Sequence, residues 1–414
     1  MSWRILKNGR PVRSLTRITA MHDKMLLIIC SAMLTCSMGM SAAQPLASAN
    51  SPATWSHGPP HDTGYFPIAV WLQSPGNAKR YRDAGFNTYV GLWNGPTEEQ
   101  LAGLKSAGIR VFCEQNETAL KHLDDPTIVG WLHGDEPDNA QSLTPRPGYG
   151  PPISPGKIIA DYKKTRALDP SRPIMLNLGQ GVAWGGYIGR GVRCNHPEDY
   201  AEYVRGCDIA SFDIYPAVHE SPEIAGKLWF VANGVDRLVN WAGPGRAVWN
   251  CIECTRIANP AKKATPLQVR CEVWMSLVHG SRGLIYFVHE WKPRFNESAL
   301  LDDPEMLAAI TAINRQIARL APVLNSPTLK DAVSVACESE ENPVDVLAKQ
   351  KGGALYLFAV GMRGENAKAT FHLGKVSGER RVEVLDENRT LVAKDGVFTD
   401  QFAPWEVHLY RIAK

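Results

Sequence analysis

The sequence predicts an α/β protein: a (β/α)8 or TIM barrel followed by a small C-terminal antiparallel β-sandwich domain. Over residues 65–327, apolar strand-like segments alternate with helix-like segments at a period of about twenty residues. Eight such strands can be counted, which is the number that closes a barrel. Over 328–414 the pattern changes to short segments separated by turns such as Gly352-Gly353, which is typical of antiparallel strands.

The chain begins with a segment typical of a secretory signal peptide. Basic residues precede the apolar run Met25–Leu34, which is too short to span a bilayer, and Ser41-Ala42-Ala43 stands before Gln44. We predict cleavage after residue 43, export to the periplasm or the cell exterior, and a linker over 44–64; a membrane anchor is the alternative. No later segment is long and apolar enough to span a membrane, so we predict no stable membrane insertion after cleavage.

The chain after the predicted signal peptide is nearly balanced in charge. The chain has 45 basic and 42 acidic residues. Residues 1–43 hold six of the basic and one of the acidic residues, so 39 basic and 41 acidic residues remain. A net charge of about −2 gives no electrostatic reason to bind nucleic acid.

The barrel elements can be assigned in order. Strands are predicted at 66–72, 88–94, 109–114, 127–132, 174–178, 207–216, 247–253 and 283–291. Helices are predicted at 77–84, 97–107, 157–168, 197–205, 225–241, 268–279 and 304–320. Right-handed crossovers between parallel strands would bring all the carboxyl ends of the strands to one face, where barrel enzymes keep their chemistry.

The fourth strand carries the most informative motif. The apolar run Thr127–Leu132 is followed shortly by Asp135-Glu136-Pro137-Asp138. Proline lacks the N–H of the strand ladder and pushes the preceding residue toward extended geometry, so Glu136 should be held at the mouth of the barrel. These residues alone could form an ordinary loop, but a second acid, Glu253, ends the seventh strand.

Polar side chains collect at the ends of several strands. They are Glu114, Asp135, Glu136, Asn177, Asp213, Tyr215, Glu253, His289 and Glu290. Crowded carboxylates raise one another's pKa, and such crowding usually marks a working site. Cleaving a glycosidic bond requires one carboxylic acid to protonate the leaving oxygen and a second carboxylate to stabilise or attack the sugar. Flat rings that could pack on sugars also lie near strand ends, namely Trp71, Trp93, Trp184 and Trp291.

With these motifs the chain resembles the large superfamily of retaining glycoside hydrolases with (β/α)8 barrels. The resemblance implies that Glu136, in Gly-Asp-Glu-Pro, is the acid/base and that Glu253, in Asn-Cys-Ile-Glu-Cys, is the nucleophile. Tyr215 matches a tyrosine on the sixth strand that contacts the nucleophile. Trp291 matches a tryptophan at the end of the eighth strand that forms the floor of the sugar site. The charge of the nucleophile would keep the acid/base partly protonated.

One residue departs from the superfamily. Asp135 stands where an asparagine usually binds the sugar 2-hydroxyl, and it is a competing candidate for the acid. Glu290 is a reserve nucleophile, although a role as a sugar-hydroxyl acceptor or a partner of Arg294 is favoured. We expect Glu114, Asn177, Trp93 and His289 to contribute to substrate binding.

The predicted function is hydrolysis of a poly- or oligosaccharide, with a carbohydrate substrate and no nucleic acid as partner; the sequence leaves the oligomeric state open. The histidines lack metal-ligand spacing, so we predict no metal and no cofactor. A catalytically silent carbohydrate-binding barrel is the main alternative, and retention of two repelling acids argues against it. Another barrel chemistry would need a phosphate loop or a metal cluster, and the sequence carries no signal for either.

Overall fold

The computed structural model describes residues 55–187, 193, 195–374 and 376–413. The predicted signal peptide and the first part of the predicted linker lie outside these residues. No helix within the described ranges is long and apolar enough to cross a membrane.

The first part of the chain forms a parallel barrel, as predicted. Its strand segments are β1 (Ile68–Trp71), β2 (Thr88–Val90), β3 (Arg110–Cys113), β4 (Ile128–Leu132), β5 (Ile174–Leu178), β6 (Ile209–Phe212), β7 (Ala247–Val248), β8 (Asn250–Glu253) and β9 (Leu284–Phe287). They are hydrogen-bonded in the order β7-β6-β5-β4-β3-β2-β1-β9-β8.

The seventh strand of the barrel is split into two halves. Each half pairs with a different neighbouring strand, and together they close the barrel. Its first half, β7, pairs with β6 through Ile209 and Ala247, whereas its second half, β8, pairs with β9. Trp249 lies between the halves, and its amide donates to the carbonyl oxygen of Ala210 at 2.9 Å. Its ring fills the barrel interior against Phe112, with ring centroids 5.4 Å apart. The two halves therefore count as one of the eight predicted strands.

Helices connect the strands and cover the outside of the barrel. They are α1 (Ala78–Asp83), α2 (Glu98–Ala107), α3 (Glu117–Lys121), α4 (Pro155–Leu168), α5 (Tyr200–Tyr203), α6 (Trp229–Ala242), α7 (Pro266–His279) and α8 (Pro304–Leu324). Capping boxes begin α2 at Thr97 and α7 at Thr265, because each threonine and the glutamine three residues later satisfy each other's backbone N–H groups. The local sequence thus determines where these helices begin.

The C-terminal β domain contains eight antiparallel strands. They are β10 (Val333–Cys337), β11 (Val344–Lys351), β12 (Ala354–Gly361), β13 (Ala367–Leu373), β14 (Glu379–Val384), β15 (Arg389–Lys394), β16 (Val397–Phe402) and β17 (Val407–Ile412). They form one sheet, in which three strands lie between β13 and β17. The rings of Phe371 on β13 and Tyr410 on β17 are nevertheless 5.3 Å apart, because the sheet folds over its own core. One folded sheet therefore provides the two layers of the predicted sandwich.

The outer face of this sheet packs against helix α7 of the barrel. The ring of Trp274 on α7 lies 5.2 Å from that of Phe358 on β12. Arg270 Nη1 donates to the carbonyl oxygen of Val407 at 2.9 Å. Apolar packing and a charge-assisted hydrogen bond thus hold the β domain beside the seventh strand.

A buried ion pair fixes strand β4, which precedes the acidic motif. Arg172 has no solvent exposure, and its guanidinium donates to Asp169 Oδ2 at 2.9 Å and to the carbonyl oxygen of Ile128 at 2.8 Å. The same carboxylate oxygen accepts the indole N–H of Trp131 at 3.0 Å. These contacts join β4 to the turn before β5.

We expect Arg172→Met to lower the free energy of unfolding by about 3–5 kcal/mol, because the Asp169 carboxylate would stay buried without its cation. Arg205→Met is the matched control, since Arg205 and Glu202 form an exposed pair with the same spacing. Urea titration should show a cost below about 1 kcal/mol for the control. Equal costs for the two variants would contradict the role given to the buried pair.

Candidate active site

Four carboxylates lie at the carboxyl ends of strands β4 to β6. Asp135, Glu136 and Asp138 follow β4, and Asp213 follows β6. The backbone φ of Glu136 is +44°, so the extended geometry expected before Pro137 is wrong. The residue is in a left-handed conformation that residues other than glycine rarely adopt. Backbone strain of this kind clusters at functional sites, where the surrounding structure maintains it.

Asn177, near the end of β5, links two of these acids. Its side chain is buried, and Nδ2 donates to Asp135 Oδ1 at 2.9 Å and lies 3.5 Å from Asp213 Oδ1. Its Oδ1 accepts the hydroxyl of Ser211 at 2.7 Å, which orients the amide with its nitrogen toward the acids. Asp135 and Asp213 therefore share one donor.

Glu136 and Asp138 are fixed by other neighbours. Asn139 Nδ2 donates to Glu136 Oε2 at 2.8 Å. Asp138 accepts the backbone N–H of Gly179 and the hydroxyl of Tyr200, each at 2.9 Å. A Cβ at Gly179 would lie 3.1 Å from Glu136 Oε1, so a glycine here lets the end of β5 approach the acids closely.

The crowding of these acids raises their pKa values. Desolvation raises the pKa of Asp135 and of Asp138 to about 7, and the charge of Glu136 adds to both shifts. Desolvation, followed by the charges of Glu136 and Asp135, raises the pKa of Asp213 well above its usual range. Asp135 is nonetheless solvent-exposed and Asp213 is half-buried, so both can meet a ligand. The cluster therefore holds protons in common near neutral pH.

A depression of about 480 Å³ lies beside the acidic cluster. Among the described residues, its lining includes Asp138, Asn139, Trp184, Tyr187 and Tyr200. It offers space for a ligand next to the carboxylates, with aromatic walls.

An aromatic shelf lies on the opposite side of the barrel mouth, after β2 and β9. We define this shelf as Trp93, His289, Trp291 and Phe295. Phe295 stacks on His289 with centroids 5.8 Å apart and packs against Trp291 at 4.7 Å. Trp93 Nε1 donates to Glu297 Oε2 at 2.7 Å. Trp291 is 48% exposed and Phe295 is 46% exposed, so the shelf presents two rings to a ligand.

Aromatic contacts connect the two sides of the mouth. The ring of Tyr215, after β6, lies 5.2 Å from that of Phe287, and Phe287 lies 5.0 Å from His289. The acidic cluster and the shelf therefore border the same cleft. His289 itself is buried and its Nε2 bonds to the carbonyl oxygen of Leu72 at 2.9 Å, so it supports the shelf and does not line the cleft.

Glu253 does not join this cluster. It has no solvent exposure, and its two carboxylate oxygens accept the backbone N–H groups of Ala217 at 2.6 Å and Val218 at 3.0 Å. In the described part of the chain, the carboxyl that acts on its pKa is Glu272 of α7, not Glu136. The structure therefore does not bring Glu253 together with Glu136, and the catalytic roles that the sequence predicts for these two acids stay predictions.

Other predicted residues also differ from expectation. Tyr215 lies next to Asp213 and makes no hydrogen bond to Glu253, and its hydroxyl is buried. Glu290 Oε1 lies 3.8 Å from Arg256 Nε, so its cation is Arg256 and not Arg294.

Two of the remaining predictions fall at the edges of the site. Glu114 is exposed at the end of β3, outside the contacts of the acidic cluster. Trp71 is only 6% exposed and belongs to the barrel interior, so it is not a sugar platform.

Several residues of the site were missed by the sequence analysis. Asp138 is one of them, and its place in the acidic motif after β4 is a sequence signal that could identify it. Asn139, Gly179, Tyr200 and Glu297 carry no comparable signal, because only the fold brings them to the acids or the shelf.

No family model and no curated protein matches the chain. A variant of AmyP, solved in complex with maltotriose, superposes with a TM-score of 0.52 at 10% identity, over 84% of this chain and 97% of that chain. An Anoxybacillus α-amylase, described as giving insights into a new glycosyl hydrolase subclass, superposes with a TM-score of 0.52 at 11% identity. The match covers 86% of this chain and 99% of that chain. At this identity the likeness shows the fold: a TIM barrel with a C-terminal β domain, shared with glycoside hydrolases.

Two buried acids, Glu253 at the end of β8 and Glu272 on α7, make the free energy of unfolding depend on pH. Burial raises the pKa of Glu253 to about 7, against the effect of its backbone hydrogen bonds. Burial, followed by the charge of Glu253, raises the pKa of Glu272 well above its usual range. The folded state therefore binds more protons than the unfolded state above about pH 4.5, so this stabilisation is lost as pH rises through about 7.

We expect Glu272→Gln to reduce this loss, because the variant has one fewer carboxyl to ionise beside Glu253. At pH 8 it should unfold with a free energy roughly 1–3 kcal/mol above that of the parent protein, and at pH 5 the difference should shrink. Urea titrations at both pH values measure this, with the exposed Glu99→Gln as control. Identical pH dependence in Glu272→Gln and the parent would contradict the buried-pair interpretation.

Proposed function

We propose that this protein is a glycoside hydrolase that cleaves O-glycosidic bonds of a poly- or oligosaccharide by a retaining two-carboxylate mechanism. The observation that carries the proposal is the Asn177 amide between Asp135 and Asp213. It puts two carboxyl groups with raised pKa values at the mouth of a barrel shared with glycoside hydrolases. Paired acids of this kind are what glycosidic cleavage requires.

The spacing of this pair favours retention of configuration. Both oxygens lie within 3.5 Å of one nitrogen, Asn177 Nδ2. Such proximity suits the separation of about 5–5.5 Å found in retaining enzymes better than the separation of about 6.5–9.5 Å that leaves room for water in inverting enzymes.

The electrostatics suggest a role for each acid. Asp213 is the more desolvated and faces the charges of Glu136 and Asp135, so it stays protonated and gives its proton to the leaving oxygen. Asp135 is exposed, and desolvation raises its pKa to about 7 against the effect of the hydrogen bond from Asn177. Its ionised form, which a nucleophile requires, is therefore available near neutral pH. Once the leaving group departs, Asp213 acts as the base that activates water.

This assignment replaces the pair implied by the sequence resemblance. Glu136 contributes negative charge that keeps its neighbours protonated, and Asn139 holds it in place. Glu253 supports the backbone just after Tyr215 through the amides of residues 217 and 218. Glu253 is then a structural acid, not the nucleophile.

The shelf and the depression would bind sugar on either side of the acids. The exposed rings of Trp291 and Phe295 suit the apolar faces of sugar rings. The AmyP structure contains maltotriose, so α-linked glucose oligosaccharides belong in the substrate panel beside β-linked ones.

We expect Asp213→Asn to lower kcat/KM about 10²–10⁴-fold on oligosaccharides, which need a proton on the leaving oxygen. The loss should be much smaller on dinitrophenyl glycosides, whose leaving group needs no acid, and azide should increase turnover. Asp135→Asn should lose activity on both substrate types. Glu99→Gln changes an exposed acid of α2 outside the contacts of the acidic cluster; it is the matched control and should keep parental activity.

Glu253→Gln separates this assignment from the implied one. Replacing one carboxylate oxygen by NH₂ removes an acceptor for a backbone N–H, so the variant should be less stable but should retain turnover per folded molecule. Folded Glu253→Gln without turnover, together with active Asp135→Asn, would refute the pair proposed here. Sugar binding by the parent protein without any turnover would identify a silent carbohydrate-binding barrel.

We further propose that the protein is exported, with cleavage after Ala43, on the basis of the N-terminal pattern. The complete chain, expressed in a bacterium, should accumulate outside the cytoplasm with Gln44 as its first residue by N-terminal sequencing. Retention of an intact N-terminus in the membrane fraction would instead indicate an anchor.

A further inference from the structure

A second cavity lies at the opposite end of the barrel from the acidic cluster. Its volume of about 310 Å³ includes space that is open to solvent. It lies where the turn before β9, the segment after α8 and strand β11 meet. Its lining includes Phe66, Leu277, Arg282, Leu324, Leu347 and Lys349. Apolar side chains and the hydroxyl residues Ser281 and Thr328 thus surround two cationic side chains.

Lys349 is the more deeply buried of the two cations. It is 2% exposed, and its Nζ donates to the carbonyl oxygen of Ser326 at 2.7 Å. An ammonium group has three N–H donors, and this contact uses one of them. Lys349 lines the cavity, and its other donors have no further hydrogen-bond partner among the described residues.

Arg282 belongs to the barrel, whereas Lys349 belongs to the β domain. Arg282 is half-buried, and its Nη1 lies 3.5 Å from the carbonyl oxygen of Leu324. Within the described ranges, neither cation forms a salt bridge with a carboxylate. This differs from the buried Arg172, whose charge is matched by Asp169.

Two cations in an apolar environment are costly without a counter-charge. Burial, followed by the charge of Arg282, lowers the pKa of Lys349 to about 7. Burial also lowers the pKa of Arg282. An anion between them would reverse both effects, because opposite charge favours the protonated forms and is little screened in an apolar cavity.

We propose that this cavity is a binding site for a small oxyanion of the size of phosphate, held between Lys349 Nζ and the Arg282 guanidinium. The planar guanidinium and the ammonium provide the charge-assisted donors that oxyanions prefer. Since one cation comes from each part of the molecule, the bound anion links the barrel to the β domain. The site is independent of the acidic cluster and of the function proposed for it.

The first test is calorimetric titration of the purified protein with inorganic phosphate at pH 7.5. We expect saturable binding of one phosphate, with proton uptake that appears as a dependence of the heat on the ionisation enthalpy of the buffer. Proton uptake is expected because the bound anion raises the pKa of Lys349. Absence of saturable binding would overturn the proposal.

Variants locate the binding. Lys349→Met replaces a buried cation by an apolar side chain of similar length and should fold well, but it should lose the proton uptake and bind phosphate about tenfold or more weakly. Arg282→Gln should weaken binding similarly. The control is Lys351→Met, which removes an exposed lysine from the same strand and should bind like the parent.

Thermal unfolding gives an independent measurement. Phosphate stabilises many proteins by exclusion from their surface, so the parent and Lys349→Met are compared in phosphate and in chloride at equal ionic strength. The parent should show an additional, saturating rise in Tm that Lys349→Met lacks. Equal phosphate effects on the parent, Lys349→Met and Arg282→Gln would overturn the proposed site.

Discussion

The candidate active site depends on the side-chain amide of Asn177. It is buried at the end of β5, oriented by the Ser211 hydroxyl, and directs its N–H groups toward Asp135 and Asp213. Without such a donor, two acids in one crowded place would repel each other and turn apart. With it, they remain close while desolvation, followed by the charge of Glu136, keeps their pKa values high. A proton can then be shared between two carboxyl groups of different exposure.

The barrel makes this arrangement possible. Residue Asn177 pairs in register with Ser211, so neighbouring parallel strands deliver the amide and its orienting hydroxyl side by side. The buried pair of Arg172 and Asp169 holds strand β4, at whose end Glu136 lies, through Ile128 and Trp131. Closure through the split seventh strand brings β9 beside β1 and so sets the aromatic shelf across from the acids.

Much of the fold could be predicted from sequence, because its signals are local. Strand and helix alternation, and capping boxes such as that at Thr97, identified the barrel and its helices. The acids at the strand ends were also visible. The direction of Glu253 was not, because it is decided by two backbone amides 36 and 35 residues earlier in the chain. The proximity of Arg282 and Lys349 likewise depends on how the β domain packs on the barrel, which no local pattern encodes.

The central claim, that Asp135 and Asp213 form the reacting pair, can be tested by trapping the covalent intermediate. The protein is incubated with an activated glycoside of its preferred sugar, fluorinated at the carbon next to the anomeric centre, which slows release of the glycosyl-enzyme. Intact mass and peptide mapping then locate the sugar. We expect one sugar per chain, attached to Asp135. A sugar attached to Glu253, or turnover with inversion and no adduct, would contradict it.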